Sequence, residues 1–234
     1  MKTFTGLCIA TASALFLIES SSVFAASSIS VSKIEHHSRL SNEHFDLNSL
    51  AWTFRNENAS IKGRATVPGD IYTDLFNNNF IGNPLNANND EKLRWIARLD
   101  WIYECEFYLP ERWKMFRSVL LNAQGLDTVA SVYLNEWKIL RSNNQFHTFL
   151  VPLESWRVGR NSIRIHFKSP IHYAKRQSNE YHVTSHHDIP PICPPSIYRG
   201  DCHINFMRKI QSSFAWDWGP TFPTVGIWQA ISLE

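Results

Sequence analysis

The sequence lacks the features of a membrane-spanning or nucleic-acid-binding protein. Beyond the first 25 residues, no segment reaches the ~18 uninterrupted apolar residues that a transmembrane helix needs. The chain has 23 Lys and Arg against 21 Asp and Glu. Its basic residues are scattered, whereas a nucleic-acid-binding domain concentrates them on one face. We therefore expect no membrane span and no nucleic-acid partner.

The only long apolar run lies at the N-terminus and is typical of a secretory signal peptide. Lys2 supplies a positive charge, residues 7–18 are apolar or small, and Val23-Phe24-Ala25 places small residues where signal peptidase cleaves. We predict a signal peptide over residues 1–25, with an uncleaved anchor as the alternative. Residues 26–43 are polar and are predicted to form a mobile lead-in.

Cysteine is scarce, with four in 234 residues, and Cys8 lies in the predicted signal peptide. Cys193 and Cys202 flank a turn-rich stretch, so we predict that they form a disulfide in an oxidising compartment. Cys105 lies in a strand-like pattern and is expected to be a buried free thiol. Asn58-Ala59-Ser60 is a glycosylation sequon, which predicts modification of Asn58.

Helical periodicity is rare after the signal, and alternating apolar residues dominate. In residues 101–109 every second side chain is apolar, while Glu104 and Glu106 lie on the opposite face. Many such short runs, separated by Gly, Pro and Asn, predict an all-β sandwich or barrel over residues 44–234, with short helices in the connections. Residues 181–202 are predicted to form a long loop, and loops of that length are often functional.

Trp216-Asp217-Trp218, followed by Gly-Pro, is the most distinctive stretch for chemistry. A sugar presents apolar C–H faces that pack on aromatic rings, and hydroxyls that donate to an ionised carboxylate. A rigid loop carrying these groups can replace the hydrogen bonds that the sugar makes with water. The alternative is structural, with the two indoles in the core and Asp217 in a turn. Histidines 172, 182, 186 and 187 show no zinc-site spacing, so no metal site is predicted.

Several segments together resemble the lysosomal β-mannosidases of animals, members of glycoside hydrolase family 2, from about residue 49 to the last residue. The most specific are Pro190–Pro195, Gly200–Lys209, Ser213–Pro220 and Pro223–Trp228. Earlier matching segments are Trp52–Asn56, Val67–Asp70, Leu93–Trp95, Trp101–Tyr103, Gly125–Ala130 and Phe146–His147.

The resemblance implies a jelly-roll sandwich of the galactose-binding-domain type, which in this family precedes an immunoglobulin-like domain and a (β/α)₈ barrel. The barrel carries the two catalytic glutamates of a retaining glycosidase. Neither later domain is expected within these residues, so no catalytic residue and no cofactor is predicted here. Glu104 and Glu106 match no catalytic motif.

The resemblance also implies a function and a site. The parent enzyme would remove terminal non-reducing β-D-mannose from glycoprotein-derived oligosaccharides, in the lysosome or, alternatively, outside the cell. Asp217 would bind hydroxyls of the terminal mannose, and Trp216 and Trp218 would shape the loop. The expected partners are the β-mannoside oligosaccharide and the downstream catalytic domains. A stand-alone carbohydrate-binding module and a non-catalytic truncated paralogue are the alternatives.

Overall fold

A computed structural model describes residues 43–217 and 219–234 of the chain. The predicted signal peptide and nearly all of the predicted lead-in lie outside the described residues. Twelve strands are described: β1 (Phe45–Asp46), β2 (Thr53–Asn56), β3 (Lys62–Arg64), β4 (Trp101–Leu109), β5 (Leu120–Ala123), β6 (Leu126–Asp127), β7 (Val129–Leu134), β8 (Trp137–Asn143), β9 (Phe149–Pro152), β10 (Gly159–Phe167), β11 (Gly226–Ile227) and β12 (Ile231–Leu233).

These strands form antiparallel sheets. Six strands pair in the order β3-β2-β4-β10-β7-β8, and four pair in the order β1-β12-β5-β9. A short pair, β11 with β6, forms a third sheet, and its Leu126 and Ile227 belong to the same buried core as the two larger sheets. The nine-residue strands β4 and β10 are in register from end to end, with Trp101 opposite Phe167 and Leu109 opposite Gly159. The mostly β sandwich with few helices confirms the fold class predicted from the alternation.

One apolar core joins the six-stranded and four-stranded sheets. Trp101, Tyr103 and Ile165 on the former and Leu121 and Ile231 on the latter belong to the same buried cluster. The cause is the pleat: alternate side chains of a strand point to one face, so a period-two sequence buries one apolar row.

Three helices lie in the connections: α1 (Ile71–Asn77), α2 (Asn89–Lys92) and α3 (Pro170–Ser185). The carboxylate of Asp70 caps α1 by accepting hydrogen bonds from two backbone N–H groups. Ser169 caps α3 in the same way and Pro170 occupies its first turn. Since α3 continues to Ser185, the long loop begins later than the predicted boundary at residue 181, which was wrong by five residues.

A tight turn connects β7 to β8. Asn135 and Glu136 both adopt positive φ, 48° and 72°, between β7 and β8. A two-residue hairpin with both φ angles positive matches the right-handed twist of its strands. Asn135 and Glu136 therefore form a tight two-residue hairpin turn.

Candidate functional site

The predicted sugar-binding residues lie in a long segment between α3 and β11, which we call the site loop and define as residues 186–225. Its described part contains no named strand and three 3-10 helices, Ser196–Tyr198, Ile204–Phe206 and Gln211–Phe214. Such a segment has few ladder hydrogen bonds to hold it. Its position must therefore come largely from contacts outside the strand ladders, including a small buried cluster of Met207 and Phe214 with Val129 and Ala174.

A disulfide and a glycine hold the first half of the site loop. The predicted disulfide between Cys193 and Cys202 is present, and Cys105 is buried without a disulfide partner. Next to the disulfide, the N–H of Asp201 donates to the carbonyl oxygen of Phe214 at 2.8 Å. A Cβ added to Gly200 would lie 2.5 Å from that carbonyl oxygen. Only glycine therefore allows the disulfide hairpin to pack this closely against the segment that leads to Asp217.

A buried ion pair anchors the second half. The Nζ of Lys209 donates to both carboxylate oxygens of Asp127, at 2.6 and 2.5 Å, and its side chain is fully buried. The Thr224 hydroxyl donates to Asp127 at 2.6 Å. Burial lowers the pKa of Lys209, and the charge of Asp127 opposes that shift. Because Asp127 belongs to β6, this cluster ties two points of the site loop to the sandwich.

Asp217 lies at the tip of a tight turn. Trp216 and Gly219 form an isolated antiparallel bridge on either side of it, with the Gly219 N–H 3.4 Å from the Trp216 carbonyl. Asp217 is exposed, and it accepts no hydrogen bond and forms no ion pair with the described residues. Trp216 is 47% exposed, so it is not a core residue. Trp218 lies outside the described residues.

A cavity of about 320 Å³ opens beside this turn. Asp217 and Trp216 line it together with the apolar side chains of Ile192 and Phe214 and with the half-exposed or buried polar residues Tyr198 and Asp201. Asp201 is held by Arg98, whose Nη2 donates to it at 3.0 Å. Apolar walls with a few oriented polar groups are typical of small-molecule sites. This composition suits a ligand that has both apolar faces and hydroxyls.

The two glutamates of β4 each form a cross-strand ion pair. Glu104 accepts a hydrogen bond from Arg55 at 3.3 Å, and Glu106 accepts one from Arg160 at 2.6 Å. They are partly or fully exposed on the outer face of the six-stranded sheet. Their role is in cross-strand ion pairs, as the alternation on β4 indicated.

Within the described residues, one trio has the spacing to hold a metal ion: Glu57, Asp100 and His166, whose ligand atoms lie within 4.8 Å of one another. None of the four histidines near the site loop belongs to it. Burial raises the pKa of Asp100, but hydrogen bonds from His166, Lys168 and the Ser169 N–H outweigh it, so the pKa lies well below its usual range. The carboxylate is thus already satisfied by protein donors.

None of the helices in the described part of the chain is long and apolar enough to cross a bilayer. The described residues form an antiparallel β-sandwich with an aromatic-carboxylate turn beside a half-apolar cavity. The chain belongs to the family described as glycosyl hydrolase 2 galactose-binding domain-like, whose model matches residues 52–229.

Sequence similarity to known proteins supports the assignment to this family. The probable β-mannosidase of Caenorhabditis elegans is 45% identical over 184 residues, which are 78% of this chain and 20% of that protein. The β-mannosidase of Capra hircus is 39% identical over 183 residues, again 78% of this chain and 20% of that protein. The chain is thus homologous to the N-terminal region of animal β-mannosidases and spans about a fifth of their length.

A solved structure shares the fold. The crystal structure of the β-D-mannosidase from Dictyoglomus thermophilum matches with a TM-score of 0.72 and 28% identity, covering 82% of this chain and 22% of the other. The resemblance to animal β-mannosidases and the galactose-binding-domain-like fold, both expected from the sequence, are confirmed.

Proposed function

We propose that this chain is the substrate-recognition segment of an exo-β-mannosidase. The whole enzyme removes terminal non-reducing β-D-mannose from glycoprotein-derived oligosaccharides. This segment supplies the side chain of Asp217, which accepts hydrogen bonds from hydroxyls of the terminal mannose. The catalytic carboxyl groups belong to the downstream domains, so the 234-residue chain alone does not hydrolyse the substrate.

The proposal rests on one observation, which is that the Asp217 carboxylate is exposed and has no hydrogen-bond partner among the described residues. An exposed carboxylate at the tip of a turn, with no hydrogen-bond donor among the described residues, is available to a ligand. The segment that leads to this turn packs against the disulfide hairpin at Phe214. The ion pair of Lys209 with Asp127 anchors the same segment. Preorganisation of this kind reduces the entropy lost on binding, which is a requirement for weak, hydroxyl-rich ligands.

Trp216 has a different role in the proposal. Its indole is half-exposed and lines the cavity with Asp217, so it forms the wall of the site and fixes the turn. Trp218 is assigned the same shaping role. An aromatic wall accommodates the C–H face of a pyranose, while the carboxylate selects the orientation of its hydroxyls.

We further propose that the protein enters the secretory pathway and functions in the lysosome, with secretion as the alternative. The disulfide at Cys193 and Cys202 supports this route, because disulfides persist in oxidising compartments. The exposed sequon at Asn58 also supports it.

Hydrolysis of an aryl β-mannoside tests the proposed function. The 234-residue chain is compared with a protein extended through the downstream reading frame, at equal concentration. We expect activity only in the extended protein. Hydrolysis by the short chain would mean that it contains a catalytic pair, which contradicts the proposal. An extended protein that cleaves another β-glycoside but no β-mannoside would overturn the substrate assignment.

A further inference from the structure

A second cavity lies beside the first turns of α3, and nothing in the proposed function uses it. We call it the sequon groove. Its volume is about 790 Å³, and it is bounded by the β2–β3 turn, the segment before β4 and the first turns of α3. The residues that matter here are Asn58, Arg98, His172, Tyr173 and Arg176, all of which line it.

Asn58 is an exposed residue that lines this groove, and its side-chain amide nitrogen is not engaged by the described residues. Its Oδ1 accepts a hydrogen bond from the Ser60 N–H at 3.1 Å, while its Nδ2, the atom that carries an N-linked glycan, makes no hydrogen bond to any described residue. The turn is rigid, because the Asn56 side chain donates to the Ser60 hydroxyl at 2.9 Å and accepts from the Ile61 N–H at 3.0 Å. These hydrogen bonds orient the Asn58 side chain at the groove.

The lining of the sequon groove suits a sugar. Arg176 lies over the ring of Tyr173, with its Cζ 5.5 Å from the ring centroid, and its Nε lies 3.8 Å from a carboxylate oxygen of Glu180. The groove lining therefore places a guanidinium, with its several N–H donors, next to an aromatic ring. Arg98, His172 and Lys168 add further polar groups. Acetamido sugars offer a carbonyl oxygen and hydroxyls to such donors and an apolar face to an aromatic ring. The volume falls within the ~300–1,000 Å³ of ordinary ligand sites.

We propose that the sequon groove is the seat of an N-linked glycan on Asn58. The first N-acetylglucosamines fold back from the β2–β3 turn and contact Arg176 and Tyr173 on α3. The glycan thus connects the edge of the six-stranded sheet to the helix that leads into the site loop. This inference requires passage through the secretory pathway, but it does not require that the protein act on mannosides.

The test compares two glycans on one chain. Asn88→Thr creates a second sequon at Asn86, an exposed residue of the loop before α2 that does not line the sequon groove. The full chain with this substitution is expressed in a secretory eukaryotic host, and occupancy of both sites is measured by mass spectrometry of peptides. An endoglycosidase that cleaves between the first two N-acetylglucosamines is then applied to the native and the unfolded chain.

We expect Asn58 to be occupied, and its glycan to be released about tenfold more slowly than that on Asn86 in the native chain, since one or two hydrogen bonds must break first. The two rates should be equal in the unfolded chain. Arg176→Ala should abolish the difference. The matched variant Lys175→Ala, which changes the neighbouring exposed residue outside the groove, should preserve it. An unoccupied Asn58, equal native rates, or an Arg176→Ala variant with unchanged protection would each overturn the proposal.

Discussion

The sandwich and the site loop are held in place by different forces. The sandwich buries one continuous apolar cluster under regular strands, so its stability is spread over many side chains. The site loop has only a small apolar cluster, in which Met207 and Phe214 pack with Val129 and Ala174. Beyond that cluster it depends on specific contacts, chiefly one disulfide, one buried ion pair and one close approach at Gly200. Loss of a single contact should therefore affect the loop far more than the sheets. Loops that carry function on a rigid scaffold are commonly built in this way.

Two buried carboxylates show the same contrast. Asp127, at the junction with the site loop, is neutralised by Lys209. Asp74, on α1 beneath the six-stranded sheet, has no cation among the described residues and accepts hydrogen bonds only from the Thr66 N–H and the Tyr103 hydroxyl. Burial raises the pKa of Asp74 to about 6. One buried carboxylate is thus paired with a cation, whereas the other is held only by neutral hydrogen-bond donors.

The largest effect is expected from Lys209→Met, which keeps the length of the side chain and leaves Asp127 buried without its cation. Breaking a buried pair from one side costs about 3–5 kcal/mol. We expect the free energy of opening, measured by amide hydrogen exchange at Asp201 and its neighbours, to fall by that amount. Amides in the centre of β4 and β10 should lose much less, because opening of the loop does not require the sheets to separate.

The matched control is Arg160→Met. This substitution removes the exposed ion pair between Arg160 on β10 and Glu106 on β4. Exchange should remain close to that of the unmodified chain in both regions, because solvent screens an exposed ion pair. Equal losses of protection in the site loop and in β4 and β10 after Lys209→Met would show that the two regions unfold as one, and the contrast drawn here would be wrong.

The pH dependence of stability should reveal Asp74. Its pKa in the folded protein, about 6, lies above the ordinary aspartate value of 3.8, so the folded state binds this proton more tightly than the unfolded state. The contribution of Asp74 is therefore fully present below about pH 4 and is lost as the pH rises through about 6. Two pKa units correspond to about 2–3 kcal/mol. Asp74→Asn, which retains a hydrogen-bonding amide, should remove this dependence.

Urea unfolding at several pH values between about 4 and 7 measures this directly. The difference in unfolding free energy between Asp74→Asn and the unmodified chain should grow across that window in favour of the variant. Asp100 does not interfere, because its pKa is held below its usual range and its stabilising contribution is lost only at lower pH. A difference that stays constant with pH would mean that Asp74 is ionised throughout the window.

The sandwich could be predicted from the sequence because its signal is local. In β4 the alternation from Trp101 to Leu109 identifies the buried face, and the structure buries it. The hairpin at Asn135-Glu136 is equally local, since turn residues carry their own conformational preference. The start of the long loop was placed too early, at residue 181, because the residues after Glu180 are weak helix formers. Side-chain hydrogen bonds from Thr184 and Ser185 to preceding carbonyls accompany the last turn.

The anchors of the site loop could not be predicted, because each joins residues far apart in the chain. Lys209 and Asp127 are separated by 82 positions, and no periodicity connects them. Both lie within segments that resemble β-mannosidases, and that was the only signal available. The close approach at Gly200 was also missed, since a glycine in a loop looks the same whether or not another backbone contacts it.

The catalytic efficiency of an Asp217→Asn variant of the extended protein on an aryl β-mannoside tests the central claim most directly. Glu154→Gln, which neutralises another exposed acid far from the site loop in sequence, is the matched control. We predict that kcat/KM falls about tenfold to hundredfold for Asp217→Asn, the value of a charge-assisted hydrogen bond, and is unchanged for Glu154→Gln. A folded Asp217→Asn variant with undiminished kcat/KM would contradict the role of Asp217 as the substrate contact of this domain.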